Sequence, residues 1–142
     1  MYKHKVTTAE LIYQIGQMEG QIIQYRLADI GIRMEHARLL HYVSDVPGTN
    51  LVSLANYLNV QPAILTNMIK KLEKLEKQEL IIRYVDPDDS HQRQLFLLPQ
   101  GEVVAKQINA IFHELNDIVD EVHLKYPAQL SKLLNLLESR KG

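Results

Sequence analysis

Apolar residues recur at helical spacing through most of this chain, and the pattern is clearest over residues 50–80. Leu54 and Leu58 stand four apart, Val60 follows, and Leu65, Met68, Ile69 and Leu72 make a second stripe. The spacing predicts two helices whose stripes face each other across a turn too short to be a linker. Ala55 sits where the helices would cross, so their backbones can approach closely. Asn59 falls in the turn, where a left-handed backbone is expected and Asn tolerates it better than most residues. Asn50 is placed to cap the first helix, and Pro62 opens the second, where its missing N–H costs nothing. Paired stripes, a small residue at the crossing and a tight turn form the pattern of a helix-turn-helix, whose second helix can enter a DNA major groove. An ordinary helical hairpin inside a bundle would share the stripes.

The flanking pattern extends this picture. From a cap at Thr7 or Thr8, Leu11, Ile12, Ile15, Met18, Ile22 and Ile23 predict a helix to about Leu27, with Gly16 and Gly20 as packing positions. Gly31 breaks it, and a second helix is expected from Met34 to Val46 with Ala37, Leu40 and Val43 inward, closed by Pro47 and Gly48. After the helix-turn-helix, Ile81 to Val85 and Leu95 to Leu97 read as strands joined by a long polar tip, DPDDSHQRQ. A hairpin directly after a recognition helix is a wing. From Gly101, Val104, Ile108, Ile111, Leu115, Ile118 and Val122 alternate steps of four and three, the signature of a helix packed along its length. After Pro127, Leu130, Leu133, Leu134 and Leu137 predict a short final helix. The terminal helices carry more apolar surface than a small winged core can cover, so a homodimer built from both ends is expected.

Composition narrows the alternatives. A length of 142 residues suits one domain, and 46% hydrophobic with 23% charged residues is ordinary for a soluble protein. No stretch has the length of a membrane span or the form of a signal peptide, which sets a cytoplasmic address as the expectation. Without cysteine the chain has no thiolate metal site, disulfide or thiol switch. A net charge of −1 argues weakly against nucleic acid, although local charge matters more than the total.

The run LVSLANYLNVQPAILTNMIKKLEK and the passage DPDDSHQRQLFLLPQG together resemble the MarR family of bacterial transcription regulators, over nearly the whole chain. The resemblance implies a winged-helix dimer that controls transcription, usually as a repressor, and that small ligands often release from DNA. Three departures change what is expected. Where the family's wing carries Arg two residues after its second Asp, Asp89 is followed by Ser90 and His91. Histidine is shorter and mostly neutral at pH 7, so the wing is expected to bind more weakly or more pH-dependently. Arg93, two residues on and on the same strand face, is placed to supply the cation, with Asp89 orienting the wing. In the first turn of the recognition helix, Gln61, Ala63 and Ile64 stand where Ser or Thr is common. The repeat Leu72-Glu73-Lys74, Leu75-Glu76-Lys77 makes the chain three residues longer than the family pattern, and good helix formers predict a longer recognition helix, with Glu79 where Gly usually follows.

The candidate DNA-binding residues are therefore Gln61, Thr66, Asn67, Lys70 and Lys71 on the helix and His91 and Arg93 on the wing. Gln and Asn can read adenine edges, and Lys more often meets phosphate. Residues 61–72 contain no acid. A small-molecule effector pocket is expected between the terminal helices and the winged core, with Tyr13, Tyr25 and Tyr42 as candidate lining. Of the six histidines, His36 and His41 are five apart and His113 and His123 ten apart, so no pair has the spacing that places two imidazoles on one helix face, and no metal or cofactor is assigned. No phosphate loop, nucleophile elbow or HExxH is present, which argues against an enzyme. The reading is a mainly α chain with a β-hairpin wing, one domain over 1–142, in which 7–30 and 101–140 dimerise and 34–98 form the DNA-binding core. It predicts a cytoplasmic homodimer acting on a double-stranded DNA operator. The rival reading is a protein-interaction module that kept the fold and lost strong DNA binding.

Overall fold

Local capping starts and stops the helices much as the pattern predicts. The computed structural model describes residues 5–74 and 79–141, and the backbone alone at 73, 74, 86 and 89–91. The first helix, α1 (Thr8–Ile30), begins where the Thr7 hydroxyl accepts from the Glu10 N–H at 3.1 Å. It ends on Gly31, whose φ of 79° is the left-handed conformation that favours glycine. Next come α2 (Met34–Asp45), α3 (Leu51–Leu58) and α4 (Pro62–Lys74). The hairpin β1 (Ile81–Asp86) and β2 (Asp89–Leu97) follows, then α5 (Pro99–Glu121) and α6 (Pro127–Ser139). The repeat residues Leu75, Glu76 and Lys77 lie outside the described residues, so the expected extension of α4 through them does too.

The chain divides into two compact units, Met1–Phe112 and His113–Gly142. In the first, α2, α3, α4 and the hairpin surround a core of Leu39, Leu40, Leu54, Leu65, Ile69 and Leu95, each 1% exposed or less. Each such side chain contributes about 1.5–3 kcal/mol by leaving water. The inward positions read from the pattern hold: Ala37, Leu40 and Val43 on α2, Leu54 and Leu58 on α3, and Leu65, Met68, Ile69 and Leu72 on α4 are all buried. Gly16 and Gly20 meet no neighbour within 4 Å, so within this chain they are not the packing positions expected of them.

The hairpin differs most from expectation. Instead of a long polar tip over 86–94, the strands pair down to Asp86 and Asp89, leaving only Pro87 and Asp88 between them. A two-stranded ribbon is held by its backbone ladder and needs no apolar alternation, so DSHQRQ can form strand without looking like one. Val85 opposes Arg93 but Asp86 opposes Asp89, so residues 90–92 have no register partner. At the other end β2 is pinned to the turn after α2: Leu95 N–H donates to Thr49 O at 2.9 Å, and Gly48 N–H donates to Leu95 O at 2.8 Å.

One contact locks the wing to α5. Leu80 donates to Leu72 O at 3.2 Å and accepts from Leu98 N–H at 3.0 Å. A Cβ on Gly101 would overlap the Leu80 carbonyl oxygen, so the first turn of α5 closes on Leu80 only because residue 101 has no side chain.

The heptad stripe of α5 is buried at Val104, Ile108, Ile111 and Leu115 but not at Ile118, which is 47% exposed. In the second unit, α6 has no buried residue, and Leu130, Leu134 and Leu137 are each close to half exposed. Within a single chain the packing expected along the whole stripe stops at Leu115.

Candidate nucleic-acid interface

The helix-turn-helix is built by three local devices. Asn50 Oδ1 accepts from the Ser53 N–H at 2.8 Å and caps α3. Asn59 takes φ 56° and ψ 48°, and its N–H donates to Asn56 O while Val60 N–H donates to Ala55 O. This paired closure satisfies the last carbonyls of α3 and redirects the chain within two residues. The Gln61 carbonyl accepts from the Leu65 N–H at 3.1 Å, which starts α4 with Pro62 in its first turn.

Because Leu65, Met68, Ile69 and Leu72 are buried, the opposite face of α4 is left to solvent. It carries Gln61 just ahead of the helix, then Ala63, Ile64, Asn67, Lys70 and Lys71, all exposed. From Pro62 to Lys71 this face spans about 13–14 Å of helix axis. Four of the five helix-borne candidates thus share one surface. Thr66 is the exception: it is half-buried, and its hydroxyl donates to Pro62 O at 3.0 Å, which commits its proton within the helix. The wing candidates are less concentrated. Arg93 is half-buried and its Nη1 donates to Gln92 O at 3.3 Å. The side chains of His91 and Asp89 lie outside the described set.

The three tyrosines are not brought together. Tyr13 and Tyr25 are 66% and 75% exposed and lie about 18 Å apart along α1. Tyr13 Oη accepts from Gln17 Nε2 at 3.2 Å. Tyr42 packs on Tyr57, ring centroids 4.5 Å apart, and Arg38 lies over the Tyr57 ring at 5.1 Å while donating to the Tyr57 carbonyl at 3.5 Å. Sequence reading missed this Arg38–Tyr57–Tyr42 cluster between α2 and α3. Its signal is the i, i+4 pair Arg38 and Tyr42 on one face of α2. A cavity of about 530 Å³ opens between the end of α1 and the start of α2, lined by Gln24, Leu27, Arg33, Met34, Glu35 and Arg38. None of the three tyrosines lines it.

Histidines show the same gap between pattern and placement. His36 is 4% exposed and its Nε2 has no hydrogen-bond partner. Burial pushes its pKa below the usual 6.5, Glu35 opposes that shift, and the positive charges of Arg33 and Lys71 add to it. His41 instead joins α2 to α5: Nδ1 lies 2.6 Å from Asn109 Oδ1, Nε2 3.5 Å from Asp45, and the ring stacks on Phe112 at 4.8 Å. Among the described residues no three His, Asp or Glu side chains gather where a metal ion could be held. Among them, too, no helix is long and apolar enough to cross a membrane.

Comparison with known proteins agrees with this geometry. Over 113 residues, 77% of this chain and 72% of the relative, the sequence is 29% identical to the uncharacterised HTH-type transcriptional regulator YdgG of Bacillus subtilis. The S. aureus MepR–DNA complex superposes with a TM-score of 0.78 at 23% identity, covering 95% of this chain and 99% of MepR. NadR in complex with 4-hydroxyphenylacetate gives 0.75 at 24%, covering 99% of this chain and 96% of NadR. At these identities the structures establish the fold. The sequence profile of the MarR family matches residues 32–92, the span from α2 to the wing. Over that winged-helix core, this chain is similar to the MarR family.

Proposed function

We propose that the chain is a homodimeric, sequence-specific regulator of transcription that binds a double-stranded DNA operator and represses from it. The observation that carries this reading is the solvent face of α4. Gln61, Asn67, Lys70 and Lys71 are exposed together on a helix whose other face is locked into the core, and residues 61–72 hold no acid to repel phosphate. Asn67 and Gln61 have the amide geometry for base edges, and the lysines suit phosphates. Arg93, and His91 with Asp89 at the wing, would meet the neighbouring backbone or minor groove. Thr66, with its proton held by Pro62 O, can meet DNA only as an acceptor or through its methyl group.

Dimerisation is supported by the apolar surface that one chain leaves open: Leu11, Ile15 and Met18 on α1, and Leu130, Leu134 and Leu137 on α6. Residues 7–30 and 101–140 would form the interface, with 34–98 as the DNA-binding core. A two-fold axis then presents two copies of α4 to two half-sites. A small-molecule effector that releases the DNA would have the 530 Å³ cavity beside Arg33 and Arg38 as its place, a size within the range of ligand pockets.

The test is fluorescence anisotropy with the DNA upstream of the chain's own gene, across a salt series and against random duplex. Tight, selective binding with two chains per duplex is expected. Lys70→Ala and Lys71→Ala should each weaken binding to every sequence and lower the salt slope by about one, and Asn67→Ala should relax selectivity. Weak binding that is equal on both DNAs would instead favour the protein-interaction module, to which the net charge of −1 and the acidic wing would then belong.

A further inference from the structure

We propose that Ile64 is a specificity-determining residue that packs against the 5-methyl group of a thymine in each half-site. The inference rests on the DNA-binding reading above and goes beyond it by naming a base. Ile64 is 51% exposed in the first turn of α4, next to exposed Ala63 and three residues before Asn67. A single exposed isoleucine elsewhere on a protein would need no explanation. Here it lies on the exposed surface of α4, three residues after Gln61 and three before Asn67, on a helix whose four buried apolar positions are Leu65, Met68, Ile69 and Leu72.

The chemistry of that first turn is restrictive. Pro62, Ala63, Ile64 and Leu65 have no side-chain hydrogen-bonding atom, and the Thr66 proton is held by the Pro62 carbonyl. The leading end of the helix therefore cannot read a base by donating a side-chain hydrogen bond. The one base-edge feature of the major groove that an apolar side chain distinguishes is the thymine methyl, absent from cytosine, adenine and guanine. The stiff, branched Ile64 side chain presents a well-defined apolar surface one turn ahead of the Asn67 amide. An apolar reader at 64 and an amide reader at 67, one turn apart, fit a T·A pair close to a second pair read through its adenine.

The test selects a preferred duplex for the wild-type protein from a pool with a randomised central segment. The selected duplex is then synthesised with each thymine replaced in turn by deoxyuridine, which removes only the methyl group. At one thymine per half-site, the wild type should lose about fourfold in affinity for each methyl taken from the contact. Ile64→Val should keep most of that discrimination, whereas Ile64→Ala and Ile64→Ser should bind the thymine and uracil duplexes within twofold of each other. Circular dichroism should be unchanged in all three, because the side chain is half exposed. The proposal is overturned if no thymine costs the wild type more than twofold, or if Ile64→Ala shows the same uracil penalty; in both cases the DNA-binding reading stands. If the pool yields no preferred sequence and no duplex binds, that reading fails and the inference goes with it.

Discussion

Adding one methyl group at Gly101 should destabilise the protein and do so through the wing. The new Cβ would overlap the Leu80 carbonyl oxygen, a backbone atom that cannot rotate away. Leu80 is 1% exposed and tied on both sides, by its N–H to Leu72 O and by its carbonyl to Leu98 N–H. To admit the methyl, α5 or the 79–81 segment must shift. That strains two hydrogen bonds worth about 1 kcal/mol each and adds an overpacking cost of about 1–3 kcal/mol. Alanine's better helix propensity offsets about 1 kcal/mol. Gly101→Ala should therefore cost about 2–4 kcal/mol, or roughly 6–12 °C in Tm for a chain of this size. The assay is thermal unfolding followed by circular dichroism at a fixed chain concentration, since the Tm of the proposed dimer would move with concentration. Because Leu80 links Leu72, in the last turn of α4, to Ile81 at the start of the hairpin, DNA affinity well below Tm should fall as well if the proposed function holds. An unchanged or raised Tm would mean that α5 does not close on Leu80, and the account of how the wing is held would be wrong.

Two other predictions concern single side chains. Asn50→Ala removes the cap on Ser53 N–H at the start of α3 and should cost about 1 kcal/mol, read from the shift of a urea unfolding midpoint at unchanged slope, whereas Asn50→Ser should recover most of the loss. For His36 the folded pKa lies below 6.5, so the unfolded chain binds more protons as pH drops below that value. The stability from keeping the imidazole neutral is fully present above pH 6.5 and is lost as pH falls through the folded pKa. His36→Met should flatten the decline of Tm between pH 7 and 5 relative to wild type; an equal decline in both would show that His36 does not carry it.

What could be read from the chain alone was the local architecture. Thr7, Asn50, Asn59, Pro62 and Gly31 act on their own backbone or on the next turn, and helical periodicity repeats every few residues, so α1 to α4 and the inward faces of α2 to α4 were legible from the chain, whereas the α1 stripe from Leu11 to Ile23 is buried in one chain only at Ile23. The MarR resemblance rested on the same stretch and on the wing that follows it. Tertiary structure decided what depends on partners distant in sequence. The two strands meet through backbone groups that every residue has, so their length, two-residue tip and irregular register were invisible in DPDDSHQRQ. Tyr42 meets Tyr57 because α3 brings that ring to it, and the Thr66 hydroxyl turns back to Pro62 O; neither contact is written in the spacing. Gly101 could be read as the start of a helix, but only the approach of the Leu80 carbonyl explains why no side chain fits there. Capping and periodicity are written in neighbouring residues; burial, register and steric closure exist only once segments far apart in the chain have met.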